Sequence, residues 1–493
     1  MAEIRELKES RESKIDYDKE GLMSGLEIHQ QLDTGKLFCR CPGYLRQDEP
    51  NFVVKRKLHR VAGETGEVDA AVSHEATIDR EFSYQGYNDT TCLVELDEEP
   101  PKEVNSEALD EALKIALLLN CEIYPVVQIM RKMVIDGSNT SGFQRTFLIG
   151  HDGYLETSFG KVGIDSVALE EDAARIVSRD GKSAVYRLDR LGIPLVEIGT
   201  APEMNTPEQI KETALKIGEI LRACKVKRGI GTIRQDVNIS IKGHDRVEIK
   251  GFQDPKMMVE TVDKEIIRQR INIAKGIVKG EVRGAKETGE TEFLRPMPGQ
   301  ARMYPETDLP LLRIGRELVN RLKKNLPKLK GEIKDELKRK GLNDEMINLV
   351  LDNNKVDEFE TLMLVWNRDA NLIAKMIILW PNEIASKMKK SYEQIREILT
   401  ERVFEQVLEK LRDGKINDGD IKRILNEVAN GKDVESALAV EKVDDNKLEE
   451  EIAKIVKEKP GLRAGGYMGL IIGKLGANVD KRKAMEILNR LVK

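Results

Sequence analysis

The stretch Thr146-Phe-Leu-Ile-Gly-His-Asp-Gly-Tyr-Leu-Glu-Thr-Ser158 decides the fold class. Two short apolar runs flank His151-Asp-Gly153, and Asp-Gly between such runs is a hairpin signal. The pattern recurs twice. Val162 to Val177 and Ala184 to Leu188 flank Asp180-Gly181, and Val237 to Ile241 and Val247 to Ile249 flank Gly243-His-Asp245. Consecutive hairpins build an antiparallel sheet, whereas a doubly wound fold alternates strands with helices. Gly25 to Leu32 and Val126 to Ile135 read as further strands, Asn105 to Asn120 and Thr261 to Val278 as helices, and Asn51 to Pro101 as irregular, charged chain. The fold class expected is therefore α+β.

Composition narrows the function. The 493 residues carry a net charge of -5 with 34% charged and 4% aromatic residues, so contact with nucleic acid has to be regional rather than a uniformly basic coat. Cys39, Cys41, Cys92, Cys121 and Cys224 are too scattered for a secreted disulfide framework, and a reducing, cytoplasmic setting is expected. No apolar run approaches the ~20 residues of a membrane span, so no membrane partner is expected. The pair Cys39-Arg-Cys41 supplies half of a structural zinc site, and with no second close pair in the sequence zinc is not expected.

Acids interrupt the apolar strands. Val167-Ala-Leu-Glu-Glu-Asp-Ala-Ala-Arg-Ile176 sets Glu170, Glu171 and Asp172 in an apolar segment, where unpaired carboxylates are costly. Glu27 and His29 share one face of their strand, Glu197 interrupts Leu191 to Ile198, and Arg234 and Asp236 fall together by period two, as do Glu248 and Lys250. Such segments, brought into one sheet, suggest a carboxylate-lined cavity for a divalent metal, with Arg131, Lys132, Arg234 and Lys250 available to phosphate. A structural salt-bridge network is the alternative. Because Glu170 and Glu171 point oppositely in a regular strand, both reach one site only if the strand ends or bulges there. The loop Asp136-Gly-Ser-Asn-Thr-Ser-Gly142 can offer Ser138, Asn139 and Thr140 to phosphate oxygens, or be an ordinary turn. No complete P-loop or G-x-G-x-x-G occurs, so a nucleotide site would be of another type.

Seven ordered motifs, Gly25-Leu-Glu-Ile-His29, Leu37-Phe-Cys-Arg-Cys-Pro42, Leu169-Glu-Glu-Asp-Ala173, Pro194-Leu-Val-Glu-Ile198, Arg234-Gln-Asp-Val-Asn-Ile-Ser240, Val247-Glu-Ile-Lys250 and Tyr304-Pro-Glu-Thr-Asp-Leu-Pro310, resemble the GatB/GatE family of tRNA-dependent amidotransferase subunits. Tyr87 to Pro101, Asp136 to Arg145 and Glu171-Asp-Ala-Ala-Arg175 resemble the archaeal GatE members more than the bacterial GatB members. The resemblance implies a cradle-like catalytic domain that uses ATP and Mg2+ to phosphorylate the glutamyl carboxylate of Glu-tRNA(Gln). Ammonia from an asparaginase- or glutaminase-like GatD partner then gives Gln-tRNA(Gln), in a heterotetramer of two GatD and two GatE chains. Carried onto matching positions, Glu27, His29, Glu170, Glu171 and Glu197 are the metal candidates. Glu27, His29, Glu171, Arg234 and Asp236 are the catalytic candidates, and Arg131, Lys132, Ser138, Asn139, Thr140 and Lys250 are the nucleotide candidates. Alternatives are a GatB-type protein also acting on Asp-tRNA(Asn), a non-catalytic tRNA-binding protein, and a hydrolase using paired carboxylates directly. The GatE insertion resembling aspartyl-tRNA synthetase is missing between Val278 and Phe293.

Beyond Pro310, Leu318, Leu322, Leu326, Leu329, Ile333 and Leu337 form a helical stripe that Pro327 should divide. The expected domains are 1–312 catalytic, 313–430 helical and 431–493 a small helical tail. In that tail Arg463, Lys474, Lys481, Arg482 and Lys483 either meet tRNA phosphates or are ordinary surface.

Overall fold

The computed structural model describes residues 15–58, 80–252, 254–297, 303–438, 445–461, 464–475 and 481–491. The chain divides into two compact units, one through Leu329 and one from Lys330 onward. In the first unit, the strands up to the centre of the chain are β1 (Met23–Gln31), β2 (Phe52–Arg56), β3 (Glu81–Gly86), β4 (Glu122–Ile123), β5 (Val126–Val127), β6 (Met130–Met133), β7 (Phe143–Thr157) and β8 (Gly160–Glu171). They continue as β9 (Arg175–Arg179), β10 (Ser183–Arg187), β11 (Pro194–Thr200), β12 (Ile233–Ser240), β13 (Val247–Phe252), β14 (Glu281–Ala285), β15 (Thr291–Pro296), β16 (Met303–Pro305) and β17 (Leu312–Arg313).

Eleven strands make one mixed but mainly antiparallel sheet, ordered β15-β14-β13-β12-β1-β11-β8-β7-β6-β16 with β4 on β7. Its centre is β1, antiparallel to both β11 and β12. Leu26, Ile28, Val196, Ile198, Val237 and Ile249 alternate onto one face and are fully buried. Three amphipathic helices cover that face: α1 (Ser106–Leu118), α2 (Pro207–Ala223) and α3 (Lys256–Ala274). The start of α1 is fixed by Asn105, whose Oδ1 accepts from the N–H groups of Glu107 and Ala108 at 3.0 and 3.2 Å. Thr206 caps α2 in the same way, followed by Pro207 in its first turn.

A smaller sheet, ordered β2-β3-β10-β9, lies within the same unit. Two of its strands come from the segment between Asn51 and Pro101 expected to be irregular, and its core is Phe82, Tyr84, Ala184, Tyr186 and Leu188. The expected strand Val162 to Val177 is two strands: β8 belongs to the large sheet and β9 to the small one, with Asp172 to Ala174 crossing between them. Asp180 closes the β9–β10 hairpin, its carboxylate accepting from Lys182 and Ser183 N–H at 2.8 and 2.6 Å.

His151-Asp-Gly153 is not a turn. β7 runs unbroken through it, and the hairpin to β8 is made at Ser158-Phe159, with Thr157 opposite Gly160. Gly153 serves close approach instead, because a Cβ there would lie 2.6 Å from the Leu119 carbonyl oxygen. Gly153→Ala is accordingly expected to destabilise by about 1–3 kcal/mol, read as a lowered denaturant midpoint at unchanged slope, because a main-chain carbonyl cannot swing aside. A Gly serving only a turn of permissive geometry would tolerate Ala.

Past the sheet, α4 (Arg316–Lys324) and α5 (Lys330–Arg339) are separated at Pro327, as the stripe requires. Leu318, Val319, Leu322, Leu326 and Leu329 pack into the core of the first unit, so this unit reaches beyond residue 312. Among its described residues the second unit has helices and no strands. One core spans Leu337 to Ala437, and a separate small one joins Leu448, Ile452, Ile455, Tyr467, Ile471, Ala484 and Leu488. Arg463 lies outside the described residues, as do the side chains of Lys474, Lys481 and Arg482.

Candidate functional site

The face of the large sheet opposite the helices carries the acids. Register sets Glu27 beside Asp236 and His29 between Glu197 and Arg234, while Glu170 of β8 lies opposite Leu195 of β11. The His29 imidazole gathers three carboxylates: Nε2 is 3.5 Å from Glu27, 3.9 Å from Glu170 and 3.3 Å from Glu197. Lys132 Nζ, arriving from β6, is 2.9 Å from Glu170 and 3.5 Å from Glu197. Towards the other side, oxygens of Glu27, Asp236 and Glu248 lie within 4.8 Å of one another, and Lys250 Nζ is 2.6 Å from Asp236 and also pairs with Glu248.

The protonation states follow from this crowding. Burial pushes the Glu27 carboxyl up, and the Glu197 charge adds to it. Glu197 is held well below the usual carboxylate range: against the cost of its burial, Lys132 and His29 favour its charged form. Burial lowers the His29 imidazole, but the Glu197 hydrogen bond and the surrounding carboxylates win, so its pKa is raised. Among the ion pairs of the described residues, Glu27 meets only His29. Arg234, which could have balanced the row, is drawn to Asp172 at 2.9 Å. Five carboxylates therefore share Lys132, Lys250 and one imidazole, and the row carries excess negative charge that a divalent cation can neutralise. Glu27, His29 and Glu197 already bring one donor atom each within 4.8 Å.

Glu171 does not join this group. From Ser166 to Glu171 β8 keeps regular register with β11, so Glu171 takes the face opposite to Glu170. There Arg145 Nη1 lies 3.4 Å from its carboxylate, while burial raises its pKa. Asn139 and Thr140 line the same small cavity, together with Lys36, Cys39, Glu95, Arg145 and Glu171. The 136–142 loop is not an open phosphate cradle. Ser138 Oγ donates to Asp136 at 2.6 Å, Thr140 Oγ1 donates to the Glu95 carbonyl at 2.5 Å, and Asn139 is 2% exposed. Arg131 is likewise engaged, pairing with Glu306 and, at 3.1 Å, with Asp308 while lying 4.5 Å from the Phe143 ring centroid.

Two donors were not legible in the C-x-C motif. Cys92 and Glu95 come beside Cys39 and Cys41, all four ligand atoms lying within 4.8 Å of one another. The spacing Cys92-Leu-Val-Glu95 was the available signal, with a carboxylate in place of the second thiol. The ground for expecting no zinc, that only two donors exist, does not hold in the fold. Three thiols and a carboxylate suit a tetrahedral zinc ion, while Lys36 Nζ, 2.9 Å from Glu95 Oε1, competes for that carboxylate.

A mixed sheet with one helix-covered face and one acid-lined face matches a catalytic domain, and the chain belongs to the GatB/GatE family: the model for the GatB/GatE catalytic domain matches residues 22–320. It is thus part of an enzyme. It is similar to archaeal proteins named as the E-type component of glutamyl-tRNA(Gln) amidotransferase. That of Methanocaldococcus jannaschii is 36% identical, over 97% of this chain and 99% of the relative. That of Methanothermobacter thermautotrophicus is 36% identical over 74% and 80%, and that of Methanobrevibacter smithii 32% identical over 97% and 99%. The first alignment runs over 637 positions for a chain of 493 residues, so that relative carries residues with no counterpart in this chain. No described helix is long and apolar enough to cross a membrane.

Proposed function

We propose that this chain converts Glu-tRNA(Gln) to Gln-tRNA(Gln) at the acid-lined face of its large sheet, at the expense of ATP. The observation that carries the reading is the convergence of Glu27, His29, Glu170 and Glu197, from three neighbouring strands, around one small volume beside Lys132. The names of its relatives supply the substrate. In the reaction a glutamyl carboxylate oxygen attacks the γ-phosphorus of ATP, releasing ADP. Ammonia then attacks the carbonyl carbon, the C–O bond to phosphate breaks, and one proton leaves the nitrogen.

The carboxylates of Glu27, Glu170 and Glu197 are hard oxygen donors that fit Mg2+, with the softer His29 imidazole as the fourth group. Bound there, Mg2+ screens the repulsion between nucleotide and substrate carboxylate. Lys132 and Lys250, paired with the acids of this face, would be the ammonium groups nearest to phosphoryl oxygens bound there. Arg234, held in position by Asp172, is the guanidinium next along the row. Ammonia comes from an asparaginase-like partner protein, two copies of each forming the cytoplasmic assembly.

ATP turnover in the presence of free ammonia tests the reading. ADP formation should require Glu-tRNA(Gln) and match Gln-tRNA(Gln) formed. Binding of tRNA without ATP cleavage would leave a non-catalytic RNA-binding protein, and hydrolysis without ATP would favour a carboxylate-paired hydrolase. The helical tail is assigned to tRNA. A chain ending at Leu438, which keeps Ala437 in the larger helical core, is expected to bind tRNA about tenfold more weakly at physiological salt. Its turnover at saturating tRNA should match that of the full chain, and loss of metal binding would contradict the assignment.

A further inference from the structure

The loop between α2 and β12 has a feature that neither the core nor the acid row uses. Ile230 is 98% exposed, more than any other large apolar side chain among the described residues. It stands between Gly229 and Gly231, with φ of 121° and 82°, conformations that favour glycine. Nothing lies within 4 Å of where a Cβ on either would be. The base of the loop is nevertheless fixed. Gln31 N–H donates to the Thr232 carbonyl at 3.0 Å, Lys227 N–H donates to the Gln31 carbonyl at 3.0 Å, and Gln30 Nε2 donates to the carbonyls of Lys227 and Thr232 at 3.0 and 3.1 Å. The tip is therefore held out from the end of β1, the strand bearing Glu27 and His29. Four residues along the chain at about 3.3–3.6 Å each bring Ile230 within about 14 Å of Arg234, which faces His29 across the sheet.

Charge says what this tip meets. From Cys224 to Gln235 the sequence holds Lys225, Lys227, Arg228 and Arg234 and no acid, in a chain of net charge -5. Lys225 and Lys227 have acidic partners in Glu107 and Asp33, whereas the hydrogen bond of Arg228 goes to the Arg222 carbonyl. One projecting aliphatic side chain beside a guanidinium, with no second exposed large apolar residue in the stretch, is too little for the apolar centre of a protein interface. It does suit an unpaired nucleotide, whose base presents a flat apolar surface and whose phosphate takes a guanidinium. We infer that the Arg228–Thr232 loop receives the single-stranded 3′ end of the RNA substrate, with Ile230 packing on an unpaired base and Arg228 on its phosphate. The inference rests on the tRNA reading given above.

The test uses the full chain with uncharged tRNA, either intact or lacking its unpaired 3′ nucleotides. Wild type is expected to bind intact tRNA about tenfold more tightly than the truncated form. Ile230→Ala should erase most of that preference. Arg228→Ala should weaken binding and reduce the slope of log affinity against log salt by about one. With charged tRNA, both variants should raise KM for the tRNA several-fold at unchanged kcat. The side chains are exposed, and an unchanged melting temperature confirms folding. If wild type prefers intact tRNA and both variants keep that preference and KM, the loop assignment is overturned while the functional reading stands. If the wild-type chain binds no tRNA, both fall. If Ile230→Ala leaves RNA binding intact but releases a partner protein, the loop is a protein contact and the inference is wrong.

Discussion

Glu197→Gln is expected to lower the rate of Gln-tRNA(Gln) formation about 10²–10³-fold at fixed, moderate Mg2+ while leaving tRNA affinity unchanged. The substitution keeps the side chain's shape and removes its charge. Glu197 lies 3.3 Å from His29 and 3.5 Å from Lys132, and those groups hold its charged form against burial. Removing that charge leaves the proposed ion a neutral amide oxygen in place of an anionic donor and lets His29 and Lys132 turn towards Glu170 and Glu27. The weaker ligand reads out as a shift of Mg2+ half-saturation to higher concentration, so raising Mg2+ should recover part of the rate. Glu171→Gln is the internal control, because Glu171 lies on the other side of the sheet against Arg145. Its Mg2+ half-saturation should equal that of wild type whatever happens to stability. Equal Mg2+ dependence for wild type and Glu197→Gln, at undiminished rate, would move the metal away from this face.

The contrast between Glu170 and Glu171 also shows what was legible in the chain. Period-two alternation identifies which residues of one strand share a face, and it placed Glu27 with His29 and Arg234 with Asp236. Whether those faces meet depends on strand order, and β1 pairing with both β11 and β12 is a long-range arrangement that no local pattern encodes. The third hairpin, around Gly243, was readable because its strands alternate cleanly and the turn lies between them. The first was misread because Gly153 is needed for packing against Leu119, and a glycine required by a neighbour looks the same in sequence as one required by a turn. The small sheet escaped because β2 and β3 have only one face to bury, and Lys55 and Glu81 interrupt them at the water. The Ser138–Thr140 loop had the composition of a phosphate cradle. Its hydroxyls are instead consumed by Asp136 and Glu95, partners 2 and 45 residues away, and only the nearer of them could have been anticipated.

Glu306→Ala should be among the most damaging single changes to stability, and the reason lies in two arginines sharing one buried carboxylate. Glu306 is 2% exposed. Arg145 Nε donates to it at 2.8 Å, and Arg131, stacked over Phe143, pairs with its other oxygen. Deleting the carboxylate leaves Arg145, itself 6% exposed, with Glu171 at 3.4 Å, and leaves Arg131 with the half-exposed Asp308 at 3.1 Å. Breaking a buried pair from one side costs about 3–5 kcal/mol, and these remaining acids place the expected loss near the lower end, about 3 kcal/mol. At about 2.1 cal/mol/K of unfolding entropy per residue, a unit that runs to Leu329 shifts by roughly 1.5 °C per kcal/mol, so it should melt about 4–5 °C earlier. Because Arg131 anchors β6 to β16, the change should also loosen the strand that delivers Lys132. The pH dependence has a definite sign. Burial alone would raise the Glu306 carboxyl, but the hydrogen bond from Arg131, the Asp308 N–H and the Arg145 charge hold it below the usual range. A depressed carboxylate contributes its full stabilisation above the unfolded pKa of about 4.3, and loses it as pH falls through the lower folded value. The stability gap between wild type and Glu306→Gln, measured by denaturant unfolding, should therefore be constant from pH 7 to 5 and narrow only as pH falls below about 4. A gap that widened on acidification would mean that Glu306 is already protonated in the folded chain, and that the two arginines are balanced by other acids.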